Sequence, residues 1–185
     1  MTTINLYLVR HGRAAAGFDS HHDPDLDDLG REQAEAVAGL LADRLDPLPV
    51  VSSPIARARQ TALPLSRRWQ QALIIEPAIS EIPSPTPDLA ERAAWLGQAM
   101  QGHWTALPDR QREFRETLIE RLLSAEQDQV LFSHFVAINL AVGAAMDDPR
   151  MVIFRPDNTS ITHLRVRTRT LEVVTLGDEA DTRVN

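Results

Sequence analysis

Cysteine is absent from the 185 residues, which excludes disulfides, thiol nucleophiles and cysteine-held zinc or iron–sulfur centres. Lysine is absent too, since all 19 basic residues are arginine. That removes a P-loop lysine, a Schiff-base lysine and a kinase ATP lysine from consideration. No G-x-S-x-G elbow occurs. No apolar stretch approaches the length a bilayer span requires, and the short run Ile4 to Val9 has neither a basic region before it nor a small-residue cleavage site after it. Neither a membrane span nor a secretory leader is expected, and a reducing cytoplasm suits the composition. An excess of positive charge is also missing. The net charge of -7 argues against a general affinity for nucleic acid or anionic membrane, so any cationic pocket must be local. Internal repeats and low-complexity tracts are not evident.

What remains is the composition of an ordinary globular protein, with 43% apolar and 24% charged residues. A chain of this length fits one domain, 1–185, and buries roughly 70% of the surface its unfolded form exposes.

Short apolar runs alternate with amphipathic stretches. Ile4 to Val9 reads as a buried strand that ends sharply at Arg10-His11-Gly12. Ala34, Val37, Leu40, Leu41 and Leu45 follow at helical spacing, with Asp27 or Asp28 available as the cap. Val50-Val51 forms the heart of a second strand, and Ser53-Pro54 opens a helix through Arg57, Thr61, Leu65 and Trp69. Leu73 to Glu76 reads as a third strand, and the four prolines between Pro77 and Pro87 demand an irregular loop. Helical periodicity returns over Asp88 to Met100 and Asp109 to Ala125, within a segment 83–125 that reads as a helical insertion near the site. Gln129 to Ser133 is a fourth strand ending at His134, followed by the apolar helix Val136 to Met146. Ile161 to Val166 and Leu171 to Leu176 complete the set around an arginine-rich turn, and Asp178 to Asp181 reads as a solvated tail.

This alternation implies an α/β fold with a mostly parallel central sheet covered on both faces. Ligands in such folds bind beyond the carboxyl ends of strands. The loops after strands one, two and four should therefore converge, bringing together Arg10 and His11, then Ser53 and Arg57, then His134. Two guanidiniums and two imidazoles form a set suited to a phosphoryl group, because guanidinium forks match phosphate oxygens bidentately and an ester phosphate carries about -1.5 to -2 charges. For one histidine to attack phosphorus it must be neutral, and neighbouring Arg10 and Arg57 favour that form. His134 would donate to the transferring oxygens.

At these residues the sequence resembles the histidine phosphatase superfamily, the group that includes cofactor-dependent phosphoglycerate mutases and their phosphatase relatives. Four segments in order carry the likeness: Leu8-Val9-Arg10-His11-Gly12, Leu29-Gly30-Arg31-Glu32-Gln33-Ala34, Ser52-Ser53-Pro54-Ile55-Ala56-Arg57-Ala58-Arg59-Gln60-Thr61-Ala62, and Phe132-Ser133-His134. The resemblance implies a three-layer αβα sandwich of phosphoglycerate mutase type. It implies that His11 is transiently phosphorylated while Arg10, Arg57 and His134 hold the phosphoryl group, with no metal and no cofactor. It also implies that Glu81, in Ile79-Ser80-Glu81-Ile82, serves as proton donor and then as base, and that Gly12 and Asn158 contribute to substrate binding. Two departures stand out. Arg13-Ala14-Ala15-Ala16-Gly17 replaces the Glu-Ser-x-Trp-Asn continuation of the mutases, and Phe135 stands where a glycine usually follows the second histidine.

The leading expectation is a metal-independent phosphatase acting on a small phosphomonoester or a phosphorylated protein side chain. A phosphomutase and a non-catalytic phospholigand-binding relative are the alternatives. Arg59 reads as a solvated neighbour of Arg57, and Glu76 and Glu91 are the other acids within reach of the role given to Glu81. Asp19, His21, His22, Asp23 and Asp25 read as a polar turn at the pocket rim more readily than as a metal site. An aspartate nucleophile within Asp23 to Asp27 is excluded by the lack of a preceding apolar strand and of lysine. Trp95, Trp104 and Phe114 read as core, and His103 and His163 carry no functional assignment. Sequence leaves the oligomeric state open.

Overall fold

The computed structural model describes residues 3–17 and 20–180. Its elements are β1 (Thr3–Arg10), α1 (Asp28–Arg44), β2 (Val50–Ser52), α2 (Ala56–Trp69), β3 (Leu73–Ile75), α3 (Leu89–Ala99), α4 (Asp109–Leu123), β4 (Gln129–Ser133), α5 (Phe135–Met146), β5 (Ile161–Arg167) and β6 (Thr170–Thr175). Short 3₁₀ turns at Pro77–Ile79 and Trp104–Ala106 interrupt segments expected to be irregular. The Asp27 carboxylate caps α1 by accepting from the Gly30 N–H at 2.7 Å, as the sequence suggests.

The strands form one sheet in the order β3-β2-β4-β1-β5-β6. β3, β2, β4 and β1 run parallel, while β5 lies antiparallel to β1 and β6 antiparallel to β5. Side-chain alternation sorts the strand residues between two cores. Leu6 and Leu8 of β1 with Leu131 of β4 pack against α4 and α5, whereas Val9, Val130 and Phe132 pack against Val37 and Leu41 of α1 and Leu65 of α2. That is the three-layer αβα arrangement. α5 is buried from Phe135 to Gly143, which explains why its sequence is apolar on every face. Trp95, Trp104 and Phe114 are partly buried against the larger core, and the His163 ring stacks on Tyr7 at 4.6 Å. Among the described residues, no helix is long and apolar enough to cross a membrane.

Asp178 and Glu179 are exposed, in keeping with the solvated tail expected, but the segment is tethered. Its backbone pairs with the segment before β5: the Asp157 N–H donates to the Asp178 carbonyl at 2.8 Å and the Ala180 N–H to the Arg155 carbonyl at 2.9 Å. The Glu179 carboxylate accepts from the Arg155 N–H at 2.9 Å. Asp178 and Glu179 keep exposed side chains, so the pairing has no apolar signature by which sequence would reveal it. Asp181 lies outside the described residues.

Where β1 gives way to the motif loop, that loop and the first turn of α1 meet backbone to backbone. A Cβ added at Gly12 would come within 2.6 Å of the Gly30 carbonyl oxygen, and one added at Gly30 within 2.1 Å of the Arg13 carbonyl oxygen. Both obstacles are main-chain atoms and cannot rotate away. Gly30→Ala gains about 1 kcal/mol of helix propensity, yet overlap of this kind costs roughly 1–3 kcal/mol or more. The variant is expected to be less stable, with a lower urea midpoint; an unchanged or raised midpoint would show that the contact relaxes freely.

Candidate active site

The end of β1 is gripped from both sides. The His11 N–H donates to the Ser133 carbonyl of β4 at 3.1 Å, and the Arg10 carbonyl accepts from the Thr159 N–H at 3.0 Å. Both side chains are buried there. His11 Nδ1 lies 2.8 Å from the Gly12 carbonyl oxygen, which only accepts, so Nδ1 carries the proton. Nε2 therefore presents its lone pair, which accepts from Arg57 Nε at 3.0 Å. Burial holds the His11 pKa well below that of a free imidazole, and the Arg57 and Arg10 charges push it the same way. The ring is neutral, with a defined tautomer and its free electron pair on Nε2.

Arg57 comes from the first turn of α2, which the Thr61 side chain ties to the motif loop. Thr61 Oγ1 accepts from the Gly12 N–H at 2.9 Å and donates to the Arg57 carbonyl at 2.7 Å. Arg59 is exposed while Arg57 is buried, as their different readings require. His134 caps the start of α5 and is wholly buried, its ring 5.2 Å from that of His11. His134 Nε2 is 2.8 Å from Ser53 Oγ, and Nδ1 is buried with no hydrogen-bond partner. Burial and the nearby Arg57 lower its pKa well below the usual value. Arg10 donates Nη1 to the Pro156 carbonyl at 2.8 Å and sets its guanidinium 5.3 Å from the centre of the Phe135 ring. Phe135 is buried beside Arg10 and forms part of the wall of the pocket that Arg10 and His11 line. Arg10 Nε also lacks a partner. Buried polar atoms left without partners are uncommon, and here two of them belong to residues beside His11.

Glu81 lies just past the Pro77–Ile79 turn and is 6% exposed. Its Oε1 accepts from the Ile82 N–H at 3.0 Å and Oε2 from the Val136 N–H at 3.3 Å. Burial raises its pKa despite these donors and the Arg57 and Arg10 charges. The competing acids are engaged elsewhere: Glu76 pairs with Arg121 at 2.6 Å, and Glu91 accepts from Thr86 Oγ1 at 2.8 Å.

Arg10, His11, Arg57 and Glu81 line one pocket of about 430 Å³, counting its open mouth. Asn158 is not on that wall; its Nδ2 donates to the His11 carbonyl at 2.9 Å. Next to it, Thr159 holds a left-handed φ of 59°, a strained conformation for a β-branched residue. Gly12 likewise meets the site through its backbone, at Thr61 and His11. In the proposed polar rim, Asp23 accepts from the Ala56 N–H at 2.9 Å and Asp25 from Gln60 Nε2 at 2.7 Å. Asp19 lies outside the described residues, and among those described no group of acids and histidines is disposed to hold a metal. Sequence reasoning missed Arg92 of α3, a third arginine on the pocket wall. Its only signal was a cation inside the 83–125 segment, one among several surface arginines.

The family model described as histidine phosphatase superfamily (branch 1) matches residues 6–179. A glucosyl-3-phosphoglycerate phosphatase from Mycolicibacterium vanbaalenii is 41% identical over 85 residues, 44% of this chain and 37% of the relative. A metal-independent phosphoserine phosphatase from Arabidopsis thaliana is 34% identical over 91 residues, 47% of this chain and 34% of the relative. These matches thus span little more than a third of either relative's length. Among solved structures, an Escherichia coli putative alpha-ribazole-5'-P phosphatase superposes with a TM-score of 0.75 at 21% identity, covering 99% of this chain and 100% of that one. A mycobacterial glucosyl-3-phosphoglycerate phosphatase solved with VO3 gives 0.74 at 22% identity, covering 96% and 100%. With a family match running from β1 to the residues beyond β6, over a sheet and helices shared with these structures, the chain belongs to the histidine phosphatase superfamily, branch 1.

Proposed function

We propose that this protein is a metal-independent phosphatase that hydrolyses small phosphomonoesters through a phosphohistidine at His11. The observation that carries the reading is the His11 ring itself: proton on Nδ1 toward Gly12, lone pair on Nε2, and the Arg57 guanidinium at 3.0 Å from that lone pair. An arriving phosphate draws the guanidinium onto its own oxygens and frees Nε2 to attack. As the N–P bond forms the ester P–O bond breaks, and protonated Glu81 gives its proton to the departing alkoxide. Glu81, now a carboxylate, takes a proton from water; the water oxygen attacks phosphorus, the P–N bond breaks, and inorganic phosphate leaves with His11 restored. Arg10, Arg57 and Nδ1 of His134 hold the equatorial oxygens, where charge stabilisation is usually the largest contribution.

Gly12 and Asn158 serve this site by fixing the His11 main chain. The reading treats 1–185 as one histidine phosphatase-like domain in which 83–125 is an insertion that shapes the pocket. A small pocket favours metabolites over phosphorylated protein side chains, and the relatives named for small phosphate esters support that preference. The net charge of -7 speaks against nucleic acid or anionic membrane as partners, and a chain without cysteine is suited to the cytoplasm.

Release of phosphate from p-nitrophenyl phosphate in the presence of a chelator should be readily measurable, and absent in His11→Ala; turnover that survives this substitution sinks the proposal. Arg57→Ala is expected to lower kcat by about 10²-fold or more, and an unchanged rate would remove Arg57 from the chemistry. Glu81 acts in its protonated form, so activity toward an alkyl phosphate should fall as pH rises through the elevated Glu81 pKa. Glu81→Gln should abolish that limb and slow the alkyl ester by about 10²-fold or more, with a smaller effect on p-nitrophenyl phosphate, whose leaving group needs little protonation. Equal effects on the two esters would argue against Glu81 as the acid.

A further inference from the structure

Burial and the neighbouring Arg57 charge hold both histidines of the site neutral. Each ring therefore has a single proton to place, and its place decides what the ring can do. In His11 the Gly12 carbonyl claims that proton at Nδ1 and leaves a lone pair on Nε2. The His134 ring meets a hydroxyl instead, Ser53 Oγ at 2.8 Å from Nε2, and a hydroxyl can either give or receive.

The surroundings of Ser53 decide the direction. Ser53 follows β2 as His134 follows β4, and both side chains are wholly buried. The Ser53 N–H joins the two strand ends by donating to the Phe132 carbonyl at 3.0 Å, and Ser52 Oγ donates to the Ser53 carbonyl at 2.9 Å. On the main chain fixed in this way, Ser53 Oγ accepts from the Ile55 N–H at 3.2 Å. An N–H can only donate, so the hydroxyl proton must go elsewhere. Among the described residues, His134 Nε2 is the acceptor beside it.

The two possible assignments differ in what they leave unsatisfied. With the ring proton on Nε2, Ser53 Oγ receives two bonds, its own proton has no acceptor, and Nδ1 is a bare lone pair, buried without a partner. With the ring proton on Nδ1, the hydroxyl receives from Ile55 and gives to Nε2, and a single group is left over, the N–H on Nδ1. Burial selects against unsatisfied polar groups, so the second assignment wins by one hydrogen bond. Nε2 is occupied by Ser53, which leaves Nδ1 as the His134 nitrogen free to meet an anion, and an anion is held by an N–H and repelled by a lone pair.

We infer that Ser53 is a positioning residue that makes His134 a donor: its hydroxyl gives its proton to Nε2, which keeps the ring proton on Nδ1 for an oxygen of the bound phosphoryl group. The two histidines then share one tautomer and use it oppositely, His11 through its lone pair and His134 through its N–H. The inference rests on the phosphatase reading for the identity of the anion; the direction of the Ser53 bond does not.

Nitrogen-15 NMR of histidine-labelled protein reads the tautomer, the His134 signals being those that His134→Gln removes. In the wild type at neutral pH, Nδ1 should be protonated and Nε2 should carry only its lone pair. Ser53→Ala should move the proton at least partly to Nε2. It should also weaken the binding of inorganic phosphate, followed by calorimetry, by about tenfold, the worth of one hydrogen bond to a charged group. A wild-type His134 protonated on Nε2, or on both nitrogens, overturns the inference whether or not Ser53→Ala folds. So does a folded Ser53→Ala that keeps the proton on Nδ1, or phosphate that binds the wild type no more tightly than the variant. Phosphate release from p-nitrophenyl phosphate by a wild type protonated on Nε2 would overturn the role of Ser53 alone. No release, with the proton on Nδ1 and phosphate binding dependent on Ser53, would overturn the phosphatase reading alone.

Discussion

The hydrogen bond from Arg57 to His11 Nε2, opposed across the ring by the Gly12 carbonyl, is the contact on which the site depends. It selects one tautomer, adds its positive charge to the burial that keeps the ring neutral, and directs the Nε2 lone pair at the Arg57 guanidinium. Arg10 and Arg57 are both buried, and desolvation presses their pKa values down. The carboxylate that they share, Glu81, is itself pushed toward its neutral form by burial. Burying cations is costly, and on the proposed reading an anion bound between them would offset part of that cost.

The scaffold maintains this unfavourable arrangement by over-determining the backbone around it. Arg10 and His11 are held between the end of β4 and the 156–160 segment, with Asn158 on the His11 carbonyl and Pro156 on the Arg10 guanidinium. Strain at Thr159 and the tight approach of Gly12 to Gly30 are tolerated because many neighbouring bonds share them. Thr61 couples the helix bearing Arg57 to the loop bearing His11. Placing the reacting groups on strand ends and helix starts gives them little freedom to drift.

Much of this was legible in the residues. The apolar run from Gln129 to Ser133 marks β4 with its observed bounds, and Asp27 announces the start of α1 through a side chain suited to capping. Convergence of His11, Arg57 and His134 follows from the parallel-sheet rule. What stayed hidden depends on partners rather than patterns. Nothing in Ile161 to Arg167 says that β5 lies antiparallel beside β1, since both pairings suit the same alternation. Arg92 looks like any helix-surface arginine until α3 is placed over the pocket, and the pairing of residues 178–180 with residues 155–157 is main-chain bonding with no compositional trace. Asn158 was expected to line the pocket; it stands off that wall and holds the His11 carbonyl instead, a main-chain contact that sequence does not reveal.

The position of β1 has a consequence for biosynthesis. Of the described strands it is the first to be made, yet its neighbours on either side are β4 and β5, with Leu6 opposite both Gln129 and Leu164. A chain emerging from the ribosome therefore holds its apolar first strand without a sheet partner while more than a hundred further residues are translated, because no earlier segment lies next to it in the sheet. Contacts of such long sequence separation form slowly, and an unpaired apolar strand in that interval is open to association with other chains. His11, at its tip, meets its β4 neighbour Ser133 only when the last third of the chain arrives.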